Sequence, residues 1–128
     1  MILLNDFFTI RSLQQEDNGL KAELEINAAH DIFRGHFPNQ PVVPGVCMMQ
    51  IVKELLEQQI QSATSLSEAS DIKFLAVIDP VANNIISADL RYTINNNNTV
   101  SVNASLYKDE RVHFKYKGVF AKECPVNV

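Results

Sequence analysis

The stretch Gly35-His36-Phe37-Pro38-Asn39-Gln40-Pro41-Val42-Val43-Pro44-Gly45-Val46 breaks every periodic pattern in the chain. Pro38, Pro41 and Pro44 exclude a regular helix or a central strand there, because proline lacks the N–H that either would use. The flanking Ile32, Phe33, Phe37, Val42 and Val43 make the segment too apolar for a solvated linker. It is expected to pack against a core, and loops held in that way often carry function.

C-terminal to this stretch, Pro44-Gly45 opens a helix. Proline suits the first helical turn, where its missing N–H would be unpaired in any case. From Val46 to about Ser62 there is neither Gly nor Pro. Val46, Cys47, Met48, Met49, Ile51 and Val52 are apolar almost all round; Leu55, Leu56 and Ile60 narrow to one stripe. A helix so apolar at its start must be wrapped by other structure.

N-terminal to the stretch, Phe7–Leu13 and Leu20–Ile26 read as strands joined at Asn18-Gly19, a hairpin signal. After the helix, Ser62 to Ser70 reads as a polar connection. Ile72–Ile78, Ile85–Thr93, Thr99–Tyr107 and Arg111–Lys122 then read as four strands. The run Asn95 to Asn98 fits a hairpin loop tolerant of left-handed backbone. Two strands, one long helix and four strands predict an α+β domain, an antiparallel sheet wrapped around a central helix.

The 128 residues suit a single domain spanning 1–128. The net charge of −4 gives no footprint for nucleic acid. No apolar run approaches the roughly 20 residues needed to cross a bilayer, and the N-terminus has no basic leader, so a cytoplasmic protein is expected. Cys47 and Cys124 have no metal-ligand spacing, and no metal or cofactor is expected. Cys47 reads as a small core residue; a nucleophilic role beside His36 is the alternative.

The stretch from Phe33 to Val46 resembles the β-hydroxyacyl-acyl-carrier-protein dehydratase family, whose members carry Gly-His-Phe-Pro-Gly-x-Pro followed by Pro-Gly-Val. The element order and Ile72-Lys73-Phe74-Leu75 with Asp79-Pro80-Val81 agree with that family's hot-dog fold. The resemblance implies that His36 takes the C2 proton of a (3R)-hydroxyacyl thioester. It also implies that the amide at Gly45 holds the thioester carbonyl, with Phe37, Pro38, Pro44 and Val46 around the substrate. A helix N-terminus suits the charge that builds on that oxygen. The implied partners are an acyl-carrier protein or coenzyme A thioester and a second copy of the chain, with the site between subunits of a homodimer or higher oligomer.

One position departs from the family. Its catalytic carboxylate stands fourteen residues after the histidine, where this chain has Gln50. An amide donates a hydrogen bond but is no acid. Either Glu54, one helical turn on, supplies the carboxylate, or the domain keeps the thioester pocket without dehydration. In the second case it binds acyl carriers, supports an active partner or acts as a thioesterase. His30 is expected to cap or pack the loop with Asp31 as acceptor. Period two places Arg111, His113, Lys115 and Lys117 on one solvated face, a candidate surface for an acidic carrier protein. Arg34 is a candidate phosphate contact or a plain surface residue.

Overall fold

In a computed structural model, residues 2–35 and 40–123 are described. The elements follow the order β1 (Phe8–Glu16), β2 (Gly19–Ile26), α1 (Ile32–Gly35), α2 (Gly45–Ile60), β3 (Thr64–Phe74), β4 (Ile85–Ile94), β5 (Thr99–Lys108) and β6 (Arg111–Lys122). The strands form one six-stranded sheet in the order β1-β2-β4-β5-β6-β3, with every pair antiparallel. β1 and β3 are therefore its edges.

Alternation produces the inner face. In β2, Leu20, Ala22, Leu24 and Ile26 are buried while Lys21 and Glu23 are exposed. Ile86, Ala88 and Leu90 of β4, and Val100, Val102, Ala104 and Leu106 of β5, continue that face. Cys47, Met48, Ile51, Val52, Leu55 and Leu56 of α2 join them in one hydrophobic cluster. The expected sheet on one long helix is thus present.

The differences from the sequence reading have local causes. Gly19 does not sit in the β1–β2 turn: Glu16 pairs with Gly19, and Asn18 takes the left-handed backbone at φ 57°. Gly19 instead lies within β2, where a Cβ would stand 2.7 Å from the Leu90 carbonyl oxygen. The stretch read as a polar connection up to Ser70 is mostly strand, because β3 starts at Thr64. The end of α2 fixes that start, since the Glu57 carboxylate accepts from the Thr64 amide (2.6 Å) and hydroxyl (3.1 Å). β3 is an edge strand, exposed along most of its length and shifted in register near Leu66 and Ala69, so no alternation marks it. The strand ends at Phe74, and residues 75–78 run on outside it. A one-turn helix at Ile32–Gly35 precedes the prolines.

His113 corrects the solvated face assigned to β6. The register passes from Leu106↔Phe114 to Tyr107↔Val112, leaving His113 as the extra residue of a bulge. The bulge turns His113 inward, where it is 2% exposed, while Lys115 and Lys117 stay outside.

Replacing Gly19 by alanine is expected to destabilise the fold by about 1–3 kcal/mol through the clash with Leu90. Chemical denaturation measures it, and an unchanged midpoint would contradict the close approach.

Candidate functional site

Helix α2 begins at Gly45 with extended Pro44 as its cap (φ −62°, ψ 147°). The Pro44 carbonyl accepts from the Cys47 amide at 3.0 Å and the Met48 amide at 3.2 Å. The Gly45 and Val46 amides precede the first intrahelical donors and meet no acceptor among the described residues. They carry the positive end of the helix dipole.

This helix start borders a cleft of about 460 Å³ lined by Val43, Gly45, Met48, Phe74, Leu75, Ala76 and Val77. The described lining is entirely apolar apart from its backbone. Phe74 lies over Gly45, where a Cβ would stand 2.8 Å from the ring, and it stacks on Phe114 at 5.1 Å between centroids. Phe74, Leu75 and Val77 of the lining are each more than half exposed, so the cleft opens on an apolar rim.

The opposite wall, residues 75–78, is held from two sides. The Val43 amide donates to the Ile78 carbonyl at 2.9 Å. The His113 carbonyl accepts from the Leu75 amide at 2.9 Å and the Ala76 amide at 3.2 Å.

Of the residues singled out from sequence, Pro44, Gly45 and Val46 lie together at the helix start. His36, Phe37 and Pro38 fall outside the described residues, as does Cys124. Gln50 and Glu54 lie one turn apart on α2, and the Gln50 Nε2 donates to Glu54 Oε2 at 2.8 Å. Glu54 is 8% exposed. Its carboxylate also accepts from the Leu3 amide (3.0 and 2.8 Å) and from the Leu4 amide (2.8 Å). It therefore ties the N-terminal segment to the central helix. Moving it toward a bound substrate would break those bonds and strand two main-chain donors.

Cys47 is fully buried, and burial pushes its thiol pKa up from the ordinary value. The un-ionised thiol is a poor nucleophile, so the core reading of Cys47 fits and the nucleophilic alternative does not. His30 packs edge-on against Phe7 at 5.3 Å and accepts from the Ile32 amide through Nδ1 at 3.1 Å. Its acidic partner is Asp6, 3.0 Å from Nε2, rather than the expected Asp31. Asp31 lies 3.4 Å from the exposed Arg34 instead. Among the described residues no group of three or more His, Cys, Asp or Glu side chains could hold a metal. No helix among them is long and apolar enough to cross a membrane.

Sequence reasoning missed the wall. Phe74-Leu75-Ala76-Val77 reads as a continuing strand, and nothing local marks where β3 leaves the sheet. His113 was missed because alternation hides a bulge.

A family model of ApeI-like proteins, described as ApeI dehydratase, matches residues 12–115. The chain belongs to the ApeI-like dehydratase family. The resemblance drawn from Phe33–Val46 thus holds at the level of a hot-dog dehydratase family. No curated protein matches the chain. Among solved structures, it is similar to the dehydratase heterocomplex ApeI:P from Xenorhabdus doucetiae at 20% identity, with TM-score 0.63, 86% of this chain covered and 95% of that one. A conserved protein from Pseudomonas aeruginosa aligns at 14% identity and TM-score 0.64 over 92% and 90% of the two chains. A Bacillus halodurans protein solved with CoA aligns at 14% identity and TM-score 0.59 over 89% and 74%. At these identities the likeness establishes the fold, and that fold is the hot-dog.

Two outcomes follow for this family member. Glu54→Ala is expected to cost about 3 kcal/mol, because it strands the Leu3 and Leu4 amides. Thermal unfolding and faster amide exchange at Leu3 and Leu4 check it; unchanged exchange would deny the tie. The second outcome concerns alkaline pH. Burial raises both the Cys47 thiol and the Tyr116 phenol above their ordinary values. The unfolded chain releases these protons first, so stability falls as pH rises through the ordinary thiol and phenol ranges. Cys47→Ala should flatten the thiol part of that decline in denaturation curves measured across pH.

Proposed function

We propose that this chain binds acyl thioesters in the cleft at the start of α2. We further propose that it works as the substrate-holding member of a dehydratase assembly rather than as a self-sufficient dehydratase. The observation that carries the reading is the Gly45 amide at the wall of an apolar cleft, with the Val46 amide next to it in the helix start and neither meeting an acceptor among the described residues. A thioester carbonyl placed there meets two donors and the helix dipole, while the acyl chain lies against Met48, Phe74 and Leu75. Membership in the ApeI-like family supports this, as does a hot-dog relative solved with CoA.

The chemistry divides into two protons. His36 is the base for the C2 proton, with Phe37 and Pro38 flanking the substrate. The charge formed on the thioester oxygen rests on the Gly45 and Val46 amides. The departing 3-hydroxyl then needs a proton, and Gln50 has none to give. Glu54 holds Gln50 and the N-terminal segment, so its part is to position the amide. A partner subunit is the remaining source of the acid. The dehydratase relative is itself a heterocomplex. The β3 edge, with no neighbouring strand among the described residues, is the place for a second subunit, either another copy or a related chain. A thioesterase would draw on His36 and a carboxylate to activate water, and the Glu54 carboxylate is already taken by Gln50 and by the Leu3 and Leu4 amides.

A carrier protein is the proposed source of the thioester. Lys73 and Lys115 stand opposite each other across β3 and β6, with Lys117 beside them. Lys115 and Lys117 have no ion-pair partner among the described residues. That face suits an acidic partner.

The isolated chain is expected to bind medium-chain acyl-CoA in titrations while hydrating crotonyl-CoA very slowly. Gln50→Glu should raise the hydration rate by about 100-fold or more, the value of a general acid. Rapid hydration by the unmodified chain would overturn the proposed division of labour. Absence of acyl-CoA binding would overturn the site itself. Lys115→Glu is expected to weaken binding of an acyl-carrier protein in low salt and leave acyl-CoA binding unchanged.

A further inference from the structure

His113 has no part in the chemistry just described, yet its surroundings are unusual for a core residue. It is the extra residue of a β-bulge, and the bulge carries its ring from the outer face to the inside. Bulges beside functional sites often serve to re-aim one side chain. The ring Nδ1 lies 3.2 Å from the Ala76 carbonyl oxygen. A carbonyl only accepts, so Nδ1 carries the hydrogen and donates. The Nε2 is buried with no hydrogen-bond partner among the described residues. An unsatisfied buried nitrogen is a cost that an apolar side chain at this position would avoid. The polar ring is therefore held for its Nδ1 bond.

That bond completes a clamp. The His113 carbonyl accepts from the Leu75 and Ala76 amides, and its ring donates back to the Ala76 carbonyl. Three hydrogen bonds from one residue thus hold the two residues at which the chain leaves β3. Leu75 and Ala76 are wall residues of the cleft, facing Gly45 and Met48 of the helix start. The segment has left the sheet ladder at Phe74, so strand pairing does not fix it. On the side away from Val43 it is His113 that sets where this wall stands.

We infer that His113 is a positioning residue that sets the width of the acyl cleft, and hence which acyl chains fit, through its Nδ1–H bond to Ala76. The inference rests on the acyl-thioester reading of that cleft. It assigns His113 no contact with the substrate.

The experiment compares His113→Asn, His113→Gln and His113→Leu in the full chain. An asparagine amide can place an N–H near the Nδ1 position, a glutamine amide places it near Nε2, and leucine offers none. Affinities for butyryl-CoA and decanoyl-CoA are measured by titration, and amide exchange is followed at Leu75 and Ala76. With leucine or glutamine, the decanoyl-to-butyryl affinity ratio is expected to change by about fivefold or more, the scale of one lost hydrogen bond. Exchange at Leu75 and Ala76 is expected to outpace exchange in β5. Asparagine should keep both close to the unmodified protein. A merely structural role would lower stability and weaken both ligands alike, leaving the ratio unchanged, and that result overturns the inference. If His113→Leu fails to fold, the contrast between asparagine and glutamine carries the test, and equal ratios in those two overturn it. An unmodified chain that binds both ligands, with no ratio change in any variant, sinks the role of His113 alone. An unmodified chain that binds neither sinks the acyl-thioester reading and this inference with it.

Discussion

Burial of the first three turns of α2 against the inner face of the sheet is the constraint on which the remaining structure depends. Cys47, Met48, Ile51, Val52, Leu55 and Leu56 have no other way to leave water, and the alternating residues of β2, β4, β5 and β6 provide the surface. A helix held on that surface fixes where its N-terminus lies. The helix start at Gly45 is then set beside the wall at residues 75–77, and a cleft exists between them. The site is thus a by-product of core packing, refined by a few polar ties.

Those ties share one logic. Each fastens main-chain groups in the N-terminal segment, or at or beyond the end of a strand, from an element that the core holds. Glu54 on α2 grips Leu3 and Leu4. Glu57 on the same helix grips Thr64 at the start of β3. His113 on β6 grips Leu75 and Ala76 beyond its end. Buried main-chain groups outside regular structure must find partners, and the Glu54 carboxylate and the carbonyl and ring of His113 meet that need. The Glu54 carboxylate is thereby occupied by the chain's own amides and by Gln50.

The order of elements, the long buried helix and its start at Pro44-Gly45 were legible in the chain. Each rests on local rules: period-two strands such as Leu20–Ile26, a run from Val46 without Gly or Pro, and proline at a helix entrance. The motif around His36 was legible for another reason, because three prolines and two glycines at fixed spacing have few alternatives. The hairpin at Asn18-Gly19 was placed correctly, yet only Asn18 lies in the turn, and Gly19 begins β2. The identity of the strained position depends on how Glu16 and Gly19 pair, which neighbouring residues do not encode.

By itself, then, the sequence determined an antiparallel sheet and one apolar helix entered at Pro44-Gly45. Those features follow from interactions within a few residues of one another. Only the tertiary structure decided that Glu54 serves the N-terminal chain, that β3 begins at Thr64, and that His113 turns inward onto the cleft wall. Each of these depends on partners separated in sequence: Glu54 and Leu3 by 51 positions, His113 and Ala76 by 37. A carboxylate on a helix reads the same whether it meets water, a substrate or a backbone amide. What it meets is settled when the core closes.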